Sequence, residues 1–300
     1  MTWRTLECFN EKWENEMSSK IEWTKDTWNP ITGCSKCSPG CENCYALTLS
    51  RRLAAMGKEK YKGVVADCGD GQGWAWTGKV RCHEDALEIP RKRKKPTVYF
   101  VCSMSDIGHP TVPHSFFVKV WRVMFNATQH RFLLLTKRPQ VLAEQIARLV
   151  RMGERINLMG AVSNVAVGVT VCNQKEWNEK VPILCQIPAA MRFVSVEPML
   201  GPVVPDCDEL EAVDWVICGT ESGPSSRRRP LKLNWVRDLR DACLSAEVPF
   251  FLKQIEVLRD IVKMPEIDGD VWNERPEWFF GAGRTESEVD GCRHGPAGDS

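Results

Sequence analysis

Cys37, Cys41 and Cys44 stand at the spacing C-x3-C-x2-C within Gly33-Cys34-Ser35-Lys36-Cys37-Ser38-Pro39-Gly40-Cys41-Glu42-Asn43-Cys44-Tyr45. Three thiolates so placed can ligate three irons of a [4Fe–4S] cluster, which leaves the fourth iron open to a small chelating molecule. An open iron is what reductive chemistry on S-adenosylmethionine requires, so the loop is a candidate reactor as well as a redox centre. The same residue types serve other chemistries. With Cys34 included, the pairs Cys34-x2-Cys37 and Cys41-x2-Cys44 look like a zinc knuckle. Structural zinc sites, however, more often place about 12–20 residues between such pairs, so that two separate turns meet around the metal. An electron-transfer or structural cluster on all four cysteines is a further reading, and spacing alone leaves these alternatives open.

The elements that must position such a loop are legible as apolar runs. Val98 to Ser103, Phe132 to Thr136, Val165 to Thr170, Arg192 to Glu197 and Trp215 to Gly219 are near-continuous and β-rich. Runs of that kind separated by helical spans are what a parallel sheet covered on both faces requires. Helices are predicted over Cys44 to Met56, Ser115 to Ala127, Pro139 to Met152 with proline at the start, and Asn234 to Ala246. With a first strand around Trp28 to Thr32 and a last one over Pro249 to Lys253, the count is six or seven strands. The fold class is α/β: a partial or nearly closed parallel (β/α)6-7 barrel. Its domain spans 21–254, after an N-terminal extension over 1–20 and before a C-terminal extension over 255–300 with a frayed polar tail. Tyr61 to His83, rich in glycine and tryptophan, is predicted to be an inserted loop over the site.

Size and composition bound the function. The chain has 300 residues, 43% of them hydrophobic, enough for one large core. A net charge of +1 means that any polyanion contact must come from local patches. Fourteen cysteines spread through a large chain with a charged start, lacking an apolar leader, indicate reducing cytoplasm. Cys102, Cys185, Cys218 and Cys243 lie in apolar contexts and are predicted to be buried small hydrophobes. With no apolar run of about 18 residues, no membrane span is predicted.

In parallel α/β barrels the loops at the carboxyl ends of the strands build the site. Here those ends read Ser103-Met104-Ser105-Asp106, Thr136-Lys137-Arg138, Thr170-Val171-Cys172-Asn173, Glu197-Pro198, Thr220-Glu221-Ser222-Gly223 and Lys253-Gln254. Any one of these is explained by a strand end meeting solvent; six in succession on one rim are not. S-adenosylmethionine offers a carboxylate, an ammonium, a sulfonium and a ribose diol. Lys137 suits the carboxylate, Ser103 or Asp106 the ammonium, and Glu197 the ribose or the substrate, with Thr136 and Thr170 beside them. Glu197, Glu221 and Lys253 are the candidates for catalysis.

These segments resemble the radical S-adenosylmethionine superfamily in the cysteine loop, its place after the first strand, and the repeating βα units. More narrowly, Trp28-Asn29-Pro30-Ile31-Thr32-Gly33-Cys34, Cys41 to Ala46, Cys102 to Asp106, Leu135 to Pro139, Val196 to Pro202 and Gly219 to Pro224 resemble a phage and prophage family of uncharacterised phage proteins, over about Ile21 to Gln254. The resemblance implies a [4Fe–4S] cluster on Cys37, Cys41 and Cys44, bound S-adenosylmethionine, and a 5′-deoxyadenosyl radical that abstracts hydrogen. It also implies an external electron donor such as flavodoxin or ferredoxin, and the cytoplasm of a bacterial host. Some phage members act on hypermodified thymidine in DNA, isomerising an amino acid already attached to the thymine methyl carbon. Two departures stand out: Asn43 occupies the place of the usual aromatic residue before the third cysteine, with Tyr45 after it. Ser103-Met104-Ser105-Asp106 replaces the usual Gly-Gly-Glu.

Two basic clusters could neutralise DNA phosphates, Arg91-Lys92-Arg93-Lys94-Lys95 and Arg227-Arg228-Arg229, the second directly after a strand's carboxyl end. A charge run is commonly a solvated turn. Trp74 and Trp76, two of twelve tryptophans, lie in the insertion, where a ring could stack on an extruded base. An RNA base or small metabolite as substrate, or a zinc- or cluster-holding nucleic-acid-binding protein without catalysis, are the competing readings.

Overall fold

A computed structural model describes residues 21–69, 73–151, 163–223 and 225–280. The predicted first strand is two strands. β1 (Asp26–Trp28) ends where Asn29-Pro30 interrupts the ladder, because proline has no N–H to donate, and β2 (Ile31–Thr32) restarts beyond it. The insertion is partly regular: β3 (Val65–Asp67) and β4 (Trp74–Trp76) form an antiparallel hairpin, and β5 (Arg81–Cys82) pairs with β2.

The large sheet contains β1, β6 (Val98–Val101), β7 (Arg131–Thr136), β8 (Val165–Thr170), β9 (Met191–Val196), β10 (Trp215–Gly219), β11 (Phe250–Val257) and β12 (Asp260–Lys263) in that order. Neighbours are parallel from β1 to β11. β12 alone runs antiparallel, against β11. The mixed α/β class is as predicted, but the sheet does not close. Leu258 and Arg259, with φ of 50° and 74°, form a two-residue hairpin turn that sends the chain straight back along β11. β12 thereby takes the edge that a closing parallel strand would need.

The sheet is nevertheless strongly curled. The Trp23 ring lies 4.7 Å from Phe100 on β6 and 6.4 Å from Trp215 on β10. A flat sheet would hold those strands about 19 Å apart, at roughly 4.8 Å per neighbour. Trp23, Phe100, Leu133, Phe193, Trp215, Ile217, Phe251 and Phe279 fill this inner face as one buried cluster. Helix Tyr45–Ala55 packs Leu47 against Val64 and Val65 of the insertion, while the outer face is covered by helices His114–Asn126, Pro139–Arg151, Gln174–Cys185 and Leu233–Ser245. Their apolar stripes, among them Phe117, Trp121, Leu142, Ile146, Trp177, Leu184, Val236 and Leu239, join the main core. The helix Gln174–Cys185 was not anticipated from the sequence, because Pro182 sits inside it; Asn173 caps it by accepting from the Glu176 N–H at 3.0 Å.

Residues beyond Gln254 do not hang free up to Phe280. β11 runs on to Val257, β13 (Glu266–Ile267) pairs with β14 (Asp270–Val271), and Phe279 packs 4.9 Å from Trp215. The extension over 1–20 and the tail over 281–300 lie outside the described residues. Of the scattered cysteines, Cys102, Cys218 and Cys243 are buried, whereas Cys185 is half-buried. Among the described residues no helix is long and apolar enough to cross a membrane.

Candidate active site

The cysteine loop leaves β2 at Thr32 and lies across the carboxyl ends of the parallel strands. It roofs a cavity of about 390 Å³, within the range of cofactor-sized sites. Cys34, Cys41 and Cys44 line the cavity from above; Cys37 is exposed. The strand-end residues Ser103, Asp106, Thr136, Lys137, Thr170, Glu197, Glu221 and Lys253 all line it, as their positions after apolar runs predicted. Six strands thus deliver polar groups to one enclosed space.

Close packing holds the loop down. Ser38 accepts from the Gly40 N–H at 3.2 Å and caps the short turn Pro39–Cys41. A Cβ on Gly40 would lie 2.6 Å from Cys172 Sγ and 3.1 Å from Pro198 Cδ, so only glycine lets the turn rest on the ends of β8 and β9.

The thiols of the turn are electrically distinct. Cys41 is drawn down, first by the hydrogen bond from Cys37 and further by the charge of Lys137, while Cys37 is pushed up. Burial opposes the charge on Lys137, yet nearby Cys41, Cys44, Cys172 and Asp106 hold it above the usual lysine value. Lys137 therefore points its ammonium at the cysteine loop; its Nζ also donates to Thr170 Oγ1 at 3.5 Å. Cys34 differs: burial raises it to about 11, and Arg138 Nη1 sits 3.7 Å from its sulfur.

Asp106 has a different job from the one its position suggested. Its carboxylate accepts from Thr136 Oγ1 at 2.7 Å, the Gly108 N–H at 2.9 Å, the Lys137 N–H at 3.1 Å and Arg138 Nη1 at 2.9 Å. Four donors occupy the acceptor capacity of a carboxylate, leaving nothing for a ligand ammonium. Thr136 is likewise spent on Asp106 and the Arg138 N–H. Arg138, which sequence reasoning passed over, carries the link onward: its Nη2 donates to the Ser35 carbonyl at 2.7 Å and hydroxyl at 3.0 Å. Ser103 shares hydrogen bonds with Asn29, and its carbonyl accepts from Tyr45 Oη at 2.7 Å. Tyr45, directly after the third cysteine, thus ties the loop to the end of β6.

Glu221, Asn43 and Arg229 form a second anchor. Glu221 accepts from Asn43 Nδ2 at 2.9 Å, from the Arg229 N–H at 2.8 Å, and from the Arg229 guanidinium, which reaches the Pro39 carbonyl at 3.0 Å. Burial alone would push Glu221 up, but the hydrogen bonds from Arg229 and Asn43 hold it below the usual carboxylate range. Asn43 thereby has a structural role, tying the cysteine loop to the end of β10. Glu221, a candidate for catalysis from its position, is instead committed to holding the loop. Arg228 is also committed, to Glu256 at 3.1 Å and to the carbonyls of Gly223 and Arg259. Only Arg227 of the triplet is exposed, with no side-chain ion pair or hydrogen bond among the described residues.

Deeper in the cavity Lys253 Nζ donates to Glu197 Oε1, an ion pair whose side chains are 13% and 15% exposed. The buried Thr220 hydroxyl, in the same cavity lining, has no hydrogen-bond partner among the described residues. Trp76 lines the cavity and Trp74 is exposed, so the two tryptophans of β4 part ways. Arg91 to Lys95 precede β6 and therefore lie at the amino end of the strands, away from the cavity. Arg91 and Arg93 there pair with Glu88 and Asp26.

Three soft thiols on one loop, one of them depressed and two facing a lysine, are a donor set that suits an iron–sulfur cluster. Among the described residues, no group of three or more His, Cys, Asp or Glu side chains is drawn together as a preformed metal site. A family model described as "Protein of unknown function (DUF5131)" matches residues 18–276. No curated protein and no solved structure matches the chain.

Proposed function

The chain belongs to the DUF5131 family, whose description assigns no function; we propose, from the cysteine turn and the cavity beneath it, that it is a radical S-adenosylmethionine enzyme in which Cys37, Cys41 and Cys44 hold a [4Fe–4S] cluster. The observation that carries this reading is the seating of the three-cysteine turn over a cavity whose walls are polar strand ends. When bound, the cluster supplies the electron that breaks a sulfonium C–S bond and so a carbon radical able to abstract hydrogen. The rest falls to side chains. Lys137 faces the loop and binds the carboxylate of S-adenosylmethionine. At the end of β6 Asp106 is spent on Thr136 and Arg138, while the Ser103 hydroxyl, which exchanges hydrogen bonds with Asn29, keeps one lone pair to accept from the ammonium. The Glu197–Lys253 pair and the unpartnered Thr220 hydroxyl offer acceptors and donors to a ribose or substrate. Asp106, Arg138, Glu221 and Arg229 position the loop.

For the substrate we propose thymidine in DNA carrying an amino acid, which the enzyme rearranges. The resemblance to phage proteins of thymidine hypermodification supports this, and a base acted on in such a cavity would have to leave the duplex stack. A reduced flavodoxin or ferredoxin is the electron donor in this reading.

The test is anaerobic reconstitution with iron and sulfide, then reductant and S-adenosylmethionine, with 5′-deoxyadenosine quantified. Release dependent on cluster and reductant is expected; an iron-replete protein that releases none with any reductant contradicts the proposal. Gly40→Ala is expected to cut reconstituted iron about tenfold or more, the scale of losses when residues supporting metal ligands are disturbed. The added methyl would press on Cys172 Sγ, so Cys172→Ala in the same chain should restore part of the iron. Iron per chain reads both outcomes.

A further inference from the structure

A second depression lies on the insertion. It is a groove of about 450 Å³ lined by Lys62, Gly63, Gly78, Lys79, Arg81 and Thr111, three cations and no acid. Lys79 is exposed and makes no side-chain ion pair or hydrogen bond among the described residues. Among the described residues Lys62 has only Glu59, at 3.9 Å, while Arg81 Nη2 reaches the same carboxylate at 3.2 Å and its Nη1 donates to the Lys62 carbonyl at 3.0 Å. Among those residues one acid therefore answers two cations, and none answers Lys79. Gly63 and Gly78 have φ of +75° and +79°, and a Cβ on either would meet nothing within 4 Å. Their backbone is bare toward the groove, which lets a bulky anion approach closely.

The groove adjoins the candidate active site. A Cβ on Gly33 would fall 2.2 Å from the Lys79 carbonyl, so Lys79 abuts the residue before Cys34. On the same hairpin Trp76 lines the cavity. Thr111 hydrogen-bonds His109 at 2.9 Å, and the other ring nitrogen of His109 meets Ser35 Oγ at 2.9 Å. Cavity and groove are two sides of one insertion.

We propose that this groove grips the sugar-phosphate backbone of the nucleic acid whose base enters the cavity, with Lys62, Lys79 and Arg81 as the phosphate contacts. This rests on the DNA half of the functional reading and relocates its electrostatics. Arg228 and Arg229 are consumed internally, which leaves Arg227 as the single exposed cation of that triplet, and Arg91 to Lys95 lie at the wrong end of the strands. A strand held at the groove passes the cavity mouth, where one nucleotide can be extruded past Trp76.

The test compares duplex DNA binding by fluorescence anisotropy across a salt series for the wild type, for Lys62→Gln with Lys79→Gln, and for Lys92→Gln with Lys94→Gln. Each phosphate contact contributes about 0.9 to the slope of log K against log salt. The groove variant is expected to lose about 2 in slope and to bind tens of fold more weakly near 0.1 M salt. The second variant should match the wild type. A wild-type slope in the groove variant, or an equal loss in the second variant, overturns the proposal. Absence of wild-type binding overturns both the groove and the DNA substrate. Release of 5′-deoxyadenosine without DNA, on the same preparations, shows separately whether the radical reading stands.

Discussion

Cys37→Ala, Cys41→Ala and Cys44→Ala are each expected to lose most of the reconstituted iron and sulfide and to release 5′-deoxyadenosine at the no-enzyme background. With three protein thiolates for four irons there is no spare ligand, so removing one leaves two irons without protein sulfur. Cys34→Ala should behave otherwise, retaining iron to within about twofold, since Cys34 hydrogen-bonds Ser35 and Arg138 and orients none of the three ligands, the role whose loss costs about 10–100-fold at metal sites. Its thiol is half-buried, raised to about 11, and held against Arg138, which is itself tied to Asp106 and Ser35. Recruiting Cys34 would mean breaking that network. Equal loss from all four cysteines would point to a four-cysteine centre and favour the binding-protein alternative.

Arg229→Ala has the second largest expected effect. It strips the guanidinium from a glutamate whose side chain is 3% exposed and frees the Pro39 carbonyl of the cysteine turn. Removing one partner of a fully buried ion pair costs about 3–5 kcal/mol, because the other charge stays buried; with Arg229 itself 35% exposed, the loss here is about 2–3 kcal/mol. In a domain of this size that is a fall in Tm of roughly 5 °C. The pH dependence has a definite sign. In the wild type Glu221 is held below the usual carboxylate range, so its contribution is complete above about pH 4.3 and fades as pH falls through the lower folded value. In Arg229→Ala the unpaired buried carboxylate shifts the other way, and protonation relieves it. The gap in Tm between wild type and variant should therefore narrow from pH 7.5 to pH 5, and Glu221→Gln should partly rescue Arg229→Ala. A Tm unchanged by Arg229→Ala, with a reduced salt slope for DNA, would return Arg229 to phosphate binding.

How much of this the chain's order of residues reveals varies with the kind of interaction. Strands β8 and β10 are predicted to the residue, because Val165 to Thr170 and Trp215 to Gly219 are buried on both faces and bounded by polar turns. Polar residues closing those runs do converge on one cavity. The open edge was illegible. It turns on Leu258-Arg259, which lacks the Asn-Gly pair that marks a two-residue hairpin, so β12 gave no signal. Roles among like-charged residues were also hidden. Arg227, Arg228 and Arg229 are identical as a sequence, but Glu256 and Glu221, from β11 and the end of β10, claim two of them. Asp106 looked available to a ligand because its partners Thr136 and Arg138 lie about 30 residues away, on the next strand. Gly40 is a signal that was present: a glycine inside the cysteine motif marks close approach, here to Cys172.

The central claim is that the cysteine turn keeps one iron open for S-adenosylmethionine. Electron paramagnetic resonance of the reduced, reconstituted protein before and after adding S-adenosylmethionine tests it most directly. The account predicts a cluster signal whose g-values shift when the amino acid end of the cofactor chelates that iron. A full cluster with a spectrum indifferent to S-adenosylmethionine, or a protein that takes up a single zinc and no cluster, would contradict it.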